Sequence, residues 1–509
     1  MTPSNDLFEL IKSMTREEKI HFRVHTKGLT KAASKNYLAL FDAIDSKSAY
    51  DEASIRKKMG MVGKGGKFAV LKNYLYNSLL THVTNYHCAT KEAYQAREYL
   101  RMANVLFDKQ LPAQASKYVK KAKSIAEKNH RYLDLIGIYF QEELIYKNSP
   151  DIKKYSQTLY KHFNQELAVI TQYLNTRQYI YLDCQLLNTI RTTDNLSHPD
   201  SQEKIQAILQ HPLLLDGNMA LSLYAQIYYN TINGIGYHIL ADDNKSYSYR
   251  KQLIDVMESE MIITAGYIGN YIGSLHNLTV TEIRLYKFDE ALLHLQKLAA
   301  FEKQYANVIP ERSKVLIHSS LAMNTLTYLG YKGTKTETFH YIAQVEKQLN
   351  ESFKQMDYRY LVHTYYTVAY TAFKFAEYNI AIKYLNLISA ESSTGKLDNY
   401  LQRGYRLLLL MVHLEMGNYR LLQYMAINTY RFLLKIGNLT KFDKAIIGLI
   451  RSKSMDKKVL LKFQKQLLAV KADKFEAQEF AHLDAISWVE SKLEKKPFIE
   501  IYRKNGLLQ

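Results

Sequence analysis

Cysteine, proline and glycine are scarce in this sequence, and each shortage excludes a class of structure. The 509 residues include 2 cysteines, 7 prolines and 20 glycines. The two cysteines, Cys88 and Cys184, are too few for a disulfide framework or a cysteine-rich zinc site, so we expect a reducing compartment. Few prolines and glycines leave few places where helices must end, and no stretch alternates apolar and polar residues long enough to require a sheet. The sequence therefore predicts an all-α protein.

Long apolar runs are also absent. The longest, residues 407–412, is far shorter than the roughly 20 residues that a membrane helix needs. The start of the chain has acids where a signal peptide carries bases, and no apolar segment follows them. We therefore expect a soluble cytoplasmic protein with no transmembrane segment. Apolar residues make up 47% of the chain and charged residues 23%, which is typical of a folded globular protein.

Residues 1–95 are expected to form a separate N-terminal helical module. Thr15 and Glu18 have the spacing of a capping box, in which each side chain accepts a hydrogen bond from the other residue's backbone amide. Asp51 is placed to cap a short helix, and residues 68–86 support a longer one. Residues 60–67 between them form a basic, glycine-rich connector, which lacks the ending and the preceding strand of a phosphate-binding loop.

Four later segments share a pattern in which an aromatic residue or proline is followed, three positions on, by a small or aliphatic residue. An apolar helical stripe continues from there. The clearest copy has Tyr378 and Ala381, preceded by a stripe that includes Ala369. A small side chain at position 381 lets two helices approach to the roughly 8–10 Å of close packing. The pattern predicts helical hairpins, with Tyr378 filling the turn. The other copies centre on Pro112/Ala115, Phe288/Ala291 and Tyr419/Leu422.

These positions resemble the tetratricopeptide repeat, which has small residues at the helix crossing and an aromatic residue three positions before its conserved alanine. The copy at Tyr378 matches best, and the copy at Tyr419 has Leu422 where alanine is expected. The spacing of the copies departs from the 34-residue period of that family. The matching positions are Ala115, Phe288, Ala291, Ala369, Tyr378, Ala381 and Tyr419.

The whole layout is also similar to uncharacterised tetratricopeptide-like proteins of Bacteroidota. This resemblance implies a bacterial cytosol and implies no particular activity. Repeated helical hairpins stack into α-solenoids, which usually bind other molecules rather than catalyse reactions. We therefore expect an irregular tetratricopeptide-like solenoid over residues 96–450.

Residues 451–509 are expected to form basic C-terminal helices, a cap and a tail. A strongly amphipathic helix is predicted over residues 474–494 as the terminal cap that a solenoid needs. After Pro497, the tail is expected to be extended and to dock on the preceding helices. The side chains expected to face the core are Phe475, Phe480, Leu483, Ile486 and the lone Trp488.

Positive charge is concentrated at the two ends of the chain. The formal net charge is +19, and residues 401–509 contain 20 bases and 10 acids, whereas residues 201–300 contain 7 and 10. Lys458, Lys462 and Lys465 lie on one face of a predicted helix, opposite an apolar stripe. This face is a candidate basic contact surface. Nucleic-acid phosphates, an acidic protein and a membrane surface all fit it, and so does simple solvation of a lysine-rich face.

No catalytic or metal-binding motif is found. The sequence has no His-Glu-x-x-His, no Gly-x-Ser-x-Gly and no dinucleotide-binding glycine pattern. Two Glu-x-x-His pairs, Glu337/His340 and Glu479/His482, fall in separate predicted hairpins, so we expect no di-iron site. We predict no catalytic residue, no metal and no cofactor.

The leading hypothesis is a non-enzymatic scaffold or regulatory adaptor that binds proteins through a helical-repeat surface. The first alternative is a nucleic-acid- or ribosome-associated factor that binds phosphates through its basic ends. The second alternative is an enzyme or metal protein with an unrecognised helical site, because catalytic groups converge in space rather than in sequence.

Overall fold

The protein is all-helical, as the sequence predicts. A computed structural model describes residues 5–26, 31–90, 92–148, 152–193, 196, 198–259, 267–306, 309–351, 358–392, 399–436, 439–452, 454–473, 476, 479–480 and 483–507. These residues form 25 α-helices and no strand. None of these helices is both long enough and apolar enough to cross a membrane.

The chain divides into two compact units, Met1–Leu174 and Asn175–Gln509. The expected three-part division at residues 95 and 450 stays a prediction. The helices that begin in the first unit are α1 (Asp6–Ser13), α2 (Arg16–Thr26), α3 (Lys31–Asp45), α4 (Glu52–Lys58), α5 (Gly65–Thr90), α6 (Glu92–Asp108), α7 (Pro112–Lys128), α8 (Tyr132–Lys147) and α9 (Ile152–Thr192).

The second unit holds the remaining helices and a 3-10 turn at Gly217–Met219. They are α10 (Pro199–Leu209), α11 (Pro212–Leu215), α12 (Leu223–Ile239), α13 (Asp243–Ser259), α14 (Ile268–Arg284), α15 (Phe288–Gln304), α16 (Glu311–Lys332), α17 (Lys335–Glu351), α18 (Tyr358–Lys374), α19 (Tyr378–Ser392), α20 (Asn399–Glu415), α21 (Tyr419–Lys435), α22 (Lys441–Ser452), α23 (Lys457–Lys471), α24 (Ala485–Glu494) and α25 (Phe498–Leu507).

The residues predicted to cap helix N-termini in the N-terminal segment form the expected hydrogen bonds. The Glu18 amide donates to the Thr15 hydroxyl at 3.2 Å, and the Thr15 amide donates to the Glu18 carboxylate at 2.8 Å. Asp51 caps α4 by accepting from the Ser54 amide at 3.1 Å. Helix α5 begins at Gly65, so part of the expected glycine-rich connector is helical. The buried apolar residues of α1 to α5 form a core of their own.

Six turns between consecutive helices share one backbone geometry. In each, a residue with positive φ lies two positions before the start of the second helix. At Ala376, for example, its amide donates to the Phe373 carbonyl at 3.1 Å, and the Glu377 amide donates to the Ala372 carbonyl at 2.9 Å. This is a Schellman motif, which satisfies carbonyls at the end of the first helix. The six residues are Gln110, His130, Ala241, Tyr286, Ala376 and Gly417.

The hairpin of α18 and α19 shows how the repeated pattern packs. Ala369 and Ala381 are fully buried in a shared apolar core. The Tyr378 ring lies 6.0 Å from the Phe373 ring, and its hydroxyl donates to Glu415 of α20 at 3.1 Å. The first helices of successive hairpins also contact one another, α14 with α16, α16 with α18, α18 with α20 and α20 with α22. A solenoid over the whole of residues 96–450 stays a prediction.

The C-terminal segment departs from its prediction in two places. The helix expected over residues 474–494 begins only at Ala485, where the Asp484 side chain accepts from the Ser487 amide at 2.9 Å. Phe475 and His482 lie outside the described residues. The tail after Pro497, which we expected to be extended, is helix α25. The helix forms because it places Phe498, Ile501 and Tyr502 on one buried face.

Helix α25 docks on α16 and α18. Its Arg503 donates to the Gly330 carbonyl at 3.0 Å and to the Leu329 carbonyl at 3.3 Å, so it caps the end of α16 with a cation. The Tyr502 ring stacks on the Tyr331 ring at 4.7 Å. The tail therefore docks on preceding helices, as expected, but it does so as a helix.

A lysine is buried beneath this contact. The Nζ of Lys374 lies 4.5 Å from the centre of the Tyr502 ring and 4.8 Å from that of Tyr370. Burial, with a smaller contribution from the positive charge of Arg503, lowers the pKa of Lys374 to about 7. The tyrosine rings offer a cation their negative faces, which offsets part of the cost of burying it.

Candidate functional site

The candidate basic surface lies on the hairpin of α22 and α23, which are antiparallel neighbours. The start of α22 is fixed by a capping-box arrangement, because the Asp443 amide donates to the Thr440 hydroxyl at 3.1 Å and the Thr440 amide donates to Asp443 at 3.0 Å. Helix α23 begins at Lys457, with Asp456 accepting from the Val459 amide at 2.9 Å. Local sequence signals thus define both helix starts.

The three lysines predicted as a contact stripe are exposed on α23. Lys458, Lys462 and Lys465 face solvent. The opposite face of the helix is buried through Leu460, Phe463, Leu467 and Val470. Lys462 also lines the groove between α22 and α23, whereas Lys458 and Lys465 are not among the lining residues of that groove. The stripe therefore consists of one groove residue and two flanking cations.

An open groove of about 510 Å³ runs between α22 and α23, and we call it the end groove. It follows three turns of each helix, because its lining residues recur three or four positions apart. Gly448 lies exposed within it, and a Cβ added there meets nothing within 4 Å. The apolar lining residues are Ala445, Leu449, Val459, Phe463, Ala469 and Val470.

The polar lining of the end groove is mostly cationic. Lys441, Lys444 and Lys462 contribute three ammonium groups, and Ser452 and Gln466 complete the rim. Lys441 is paired with Asp473, whose carboxylate lies 2.6 Å from its Nζ. Within the part of the chain that the structure describes, Lys444 and Lys462 form no ion pair. The groove therefore combines an apolar floor with a positively charged rim.

A buried ionic cluster supports the hairpin from behind. Arg403 of α20 lies with its Nε 2.8 Å from Asp443 Oδ1 and its Nη1 2.7 Å from Glu479 Oε1, and its Nη2 donates to the Thr440 hydroxyl at 2.9 Å. Burial raises the pKa of both carboxyl groups, and the guanidinium opposes that rise. Each guanidinium nitrogen thus donates to a protein oxygen. The cluster joins α20 to α22 and is a structural element rather than a ligand site.

A small cavity of about 90 Å³ adjoins this cluster. It is too small for a drug-sized ligand, whose sites measure roughly 300–1,000 Å³. Its described lining residues are His363, Tyr366, Leu401, Arg403, Gly404, Leu407, Phe442, Glu479 and Leu483. The end groove is therefore the larger of the two concavities in this region.

The residues predicted from the repeat pattern are distributed along the chain rather than gathered in one site. Each aromatic residue or proline of the pattern is the first residue of its helix, as in α7, α15, α19 and α21. Ala115, Phe288 and Ala291 are buried, as are Ala369 and Ala381. Tyr419 differs, because it is 49% exposed. It does not fill its turn as Tyr378 does.

The Glu-x-x-His pairs form no metal site in the described residues. Glu337 caps the start of α17 by accepting from the Thr334 amide at 2.8 Å, and His340 hydrogen-bonds to Gln344 at 3.0 Å. Glu479 is held by Arg403, and His482 lies outside the described residues. Across the described ranges, no group of three or more His, Cys, Asp or Glu side chains is placed to hold a metal ion.

Sequence reasoning missed the end groove and the cluster behind it. The lysine stripe was visible, but the groove also needs α22, whose contribution depends on the register of the two helices. The spacing of Thr440 and Asp443 was an available signal for the start of α22. No local signal linked Asp443 to Arg403, which lies 40 residues earlier.

Comparison with known proteins adds no assignment. No protein-family model matches the sequence, and a search of the curated proteins found no match. The resemblance to tetratricopeptide repeats therefore rests on the residues quoted above.

Proposed function

We propose that the protein is a non-enzymatic scaffold or regulatory adaptor that binds an acidic amphipathic helix of a partner protein in the end groove. The observation that carries the proposal is the combination of an apolar floor with the rim lysines Lys444 and Lys462. A helix-in-groove complex uses these features, since apolar anchors enter the groove and charges flank it. The setting proposed is a bacterial cytoplasm, and the hairpins are proposed to stack as a tetratricopeptide-like solenoid.

The shape of the groove favours a helix over an extended peptide. A path of three helical turns, about 16 Å long, accommodates anchors spaced three and four residues apart on a partner helix. An extended peptide instead needs a strand edge or an aromatic-lined groove, and the described lining is helical with a single aromatic residue, Phe463. Helix packing also tolerates the open space above Gly448, because small residues allow close approach.

The positive charge at the rim of the end groove favours an acidic partner helix over a basic one. A second copy of this hairpin would bring lysine rims together, which is unfavourable, whereas glutamate or aspartate beside the apolar anchors of a partner would pair with Lys444 and Lys462. Rim charges of this kind mainly raise the association rate and suppress wrong partners. The proposed partner segment is therefore acidic.

Binding of nucleic-acid phosphates is the second candidate function. The observation that favours it is the position of Lys458 and Lys465, which continue the positive surface beyond the groove. Phosphate binding needs the charges and not the apolar floor, because its affinity comes from counterion release. The two candidates therefore respond differently to a substitution that fills the floor.

The test uses two variants of the full chain and a matched control. Lys444→Glu/Lys462→Glu reverses the rim charge, and Gly448→Leu fills the floor while improving helix propensity. Lys109→Glu/Lys120→Glu makes the same charge change at exposed lysines elsewhere. The probes are a labelled synthetic helix with a leucine stripe flanked by glutamates and a labelled single-stranded oligonucleotide of about 20 nucleotides, with binding followed by fluorescence anisotropy at several salt concentrations.

We expect both groove variants to weaken peptide binding at least about 10-fold, and the control to leave it unchanged. Peptide binding that survives Gly448→Leu contradicts the groove proposal. Oligonucleotide binding that is lost with the charge reversal, kept in Gly448→Leu and steeply dependent on salt supports the second candidate instead. Purification of the protein from its host with and without nuclease then identifies the natural partner.

A further inference from the structure

An apolar stripe is exposed along the first half of helix α9. Its five side chains, three aliphatic and two aromatic, are between 38% and 77% exposed, whereas side chains of these types are usually buried. Large contiguous apolar surfaces of this kind are rare on monomeric proteins and mark interaction sites. We call these residues the α9 seam. They are Tyr160, Phe163, Leu167, Ile170 and Leu174.

The α9 seam has the spacing of a coiled-coil interface. Successive members are three, four, three and four residues apart, which is the alternation of the a and d positions of a heptad. Side chains spaced in this way form a stripe that drifts by about 20° per seven residues around a straight helix, and a slight left-handed supercoil keeps it facing a second helix with the same spacing. The stripe therefore predicts a helical partner that lies along α9.

The opposite side of α9 is already occupied by the protein's own core. His162 is buried, with its ring 5.1 Å from the Tyr139 ring and 5.7 Å from the Tyr146 ring of α8. Val169 packs against the apolar core of α6, α7 and α8. The helix thus uses one face to fold, and the α9 seam is not the face that holds it in the first unit.

The charge around the α9 seam is close to neutral. Residues 159–174 include one lysine and one glutamate, Lys161 and Glu166, in a chain with a formal net charge of +19. A second copy of the chain is therefore not repelled here as it is at the basic end groove. A membrane-binding helix instead carries lysine and arginine along its polar face. The lack of charge favours self-association over binding to an anionic membrane.

We infer that two copies of this chain associate through the α9 seam as a short two-stranded coiled coil. A fully buried aromatic side chain removes about 150–250 Å² from water, and the five seam residues are about half exposed in the single chain. Covering them therefore removes roughly 500 Å² per copy, or about 1,000 Å² in total. This is at the lower limit of specific protein interfaces. The dimer is therefore expected to have a Kd in the micromolar range rather than the nanomolar range.

The test is the oligomeric state of the full chain, measured by sedimentation velocity between about 1 and 100 μM. Leu167→Glu places a carboxylate at the middle of the seam in both copies, and burying it there disfavours the dimer. The matched control is Leu421→Glu on α21, because Leu421 is 48% exposed and Leu167 is 49% exposed. Both positions are solvent-exposed in the single chain, so both variants are expected to fold.

We expect the wild type and Leu421→Glu to dimerise with the same Kd, and Leu167→Glu to raise that Kd at least about 100-fold. A wild-type chain that remains monomeric at 100 μM overturns the inference. So does a dimer that Leu167→Glu leaves intact or that both variants weaken equally. The result is independent of the end groove, since none of its residues is changed.

Discussion

Arg403→Met removes the guanidinium that joins α20 to Asp443 of α22 and to Glu479. In the wild type this group lies 2.8 Å from Asp443 and 2.7 Å from Glu479, and it donates to the Thr440 hydroxyl at 2.9 Å. Methionine keeps most of the apolar stem but leaves two buried carboxyl groups without a cation. Breaking a buried ion pair from one side costs about 3–5 kcal/mol, so we expect a loss of that size in the free energy of unfolding at pH 8.

The loss is expected to depend on pH with a defined sign. Burial raises the pKa of Asp443 and of Glu479 above their unfolded values. The folded state therefore binds more protons than the unfolded state between those values, and stability falls as pH rises through this range. Without Arg403 both pKa values rise further, so the range extends upward. The variant should lose less stability at pH 5 than at pH 8, by at least about 1 kcal/mol.

Urea denaturation followed by tryptophan fluorescence measures this effect. Trp488 is the only tryptophan of the chain and is fully buried in the second unit, with its indole N–H donating to Glu415 at 2.6 Å. Its signal therefore reports unfolding of that unit. Lys444→Met is the control, because an exposed lysine on α22 should change stability by less than about 0.5 kcal/mol. A loss below about 1 kcal/mol for Arg403→Met at pH 8, or equal losses at both pH values, contradicts this role of Arg403.

Two further substitutions test the packing of the second unit by the same assay. Ala381→Leu inserts a large side chain at a fully buried position, so we expect a loss of about 1–3 kcal/mol, whereas Ala469→Leu on an exposed face should be near neutral. A neutral Ala381→Leu would show that the hairpin has room at its crossing. Burial lowers the pKa of Lys374 to about 7, so between pH 7 and the unfolded pKa near 10.4 this group binds fewer protons in the folded state than in the unfolded state. The contribution of Lys374 to the free energy of unfolding should therefore rise with pH over this range. Lys374→Met should remove that rise and should be more stable than the wild type at pH 7. If the free energy of unfolding of Lys374→Met depends on pH as in the wild type, the pKa of Lys374 is not lowered by burial.

Much of the secondary structure could be predicted because it depends on local sequence. The capping box at Thr15 and the hairpin at Tyr378 and Ala381 each lie within a few residues, and both signals mark helix starts in the structure. The tail after Pro497 was misjudged for the opposite reason. Its helix is stabilised by contacts of Arg503 and Tyr502 with α16, which lies about 170 residues earlier in the chain.

The candidate site could be predicted only in part. The sequence shows that Lys458, Lys462 and Lys465 share a face, because a helix repeats every 3.6 residues. It does not show which of them lines a groove, since that depends on where α22 lies beside α23. The buried ion pair of Arg403 and Asp443 is a similar case, because charged residues at those positions look exposed until the fold places them together.

The helical class, four of the six shared hairpin turns and the basic ends of this protein follow from its amino-acid sequence alone, since periodicity, capping and charge are properties of short segments. The tertiary structure decided which apolar stripes are covered. The residues of the α9 seam and those around Ala381 both follow helical spacing, yet the former are exposed and the latter are buried. An apolar stripe shows only that a helix has an apolar face, because the spacing is a property of that helix's own sequence. Whether this chain or another one covers that face depends on contacts between distant segments.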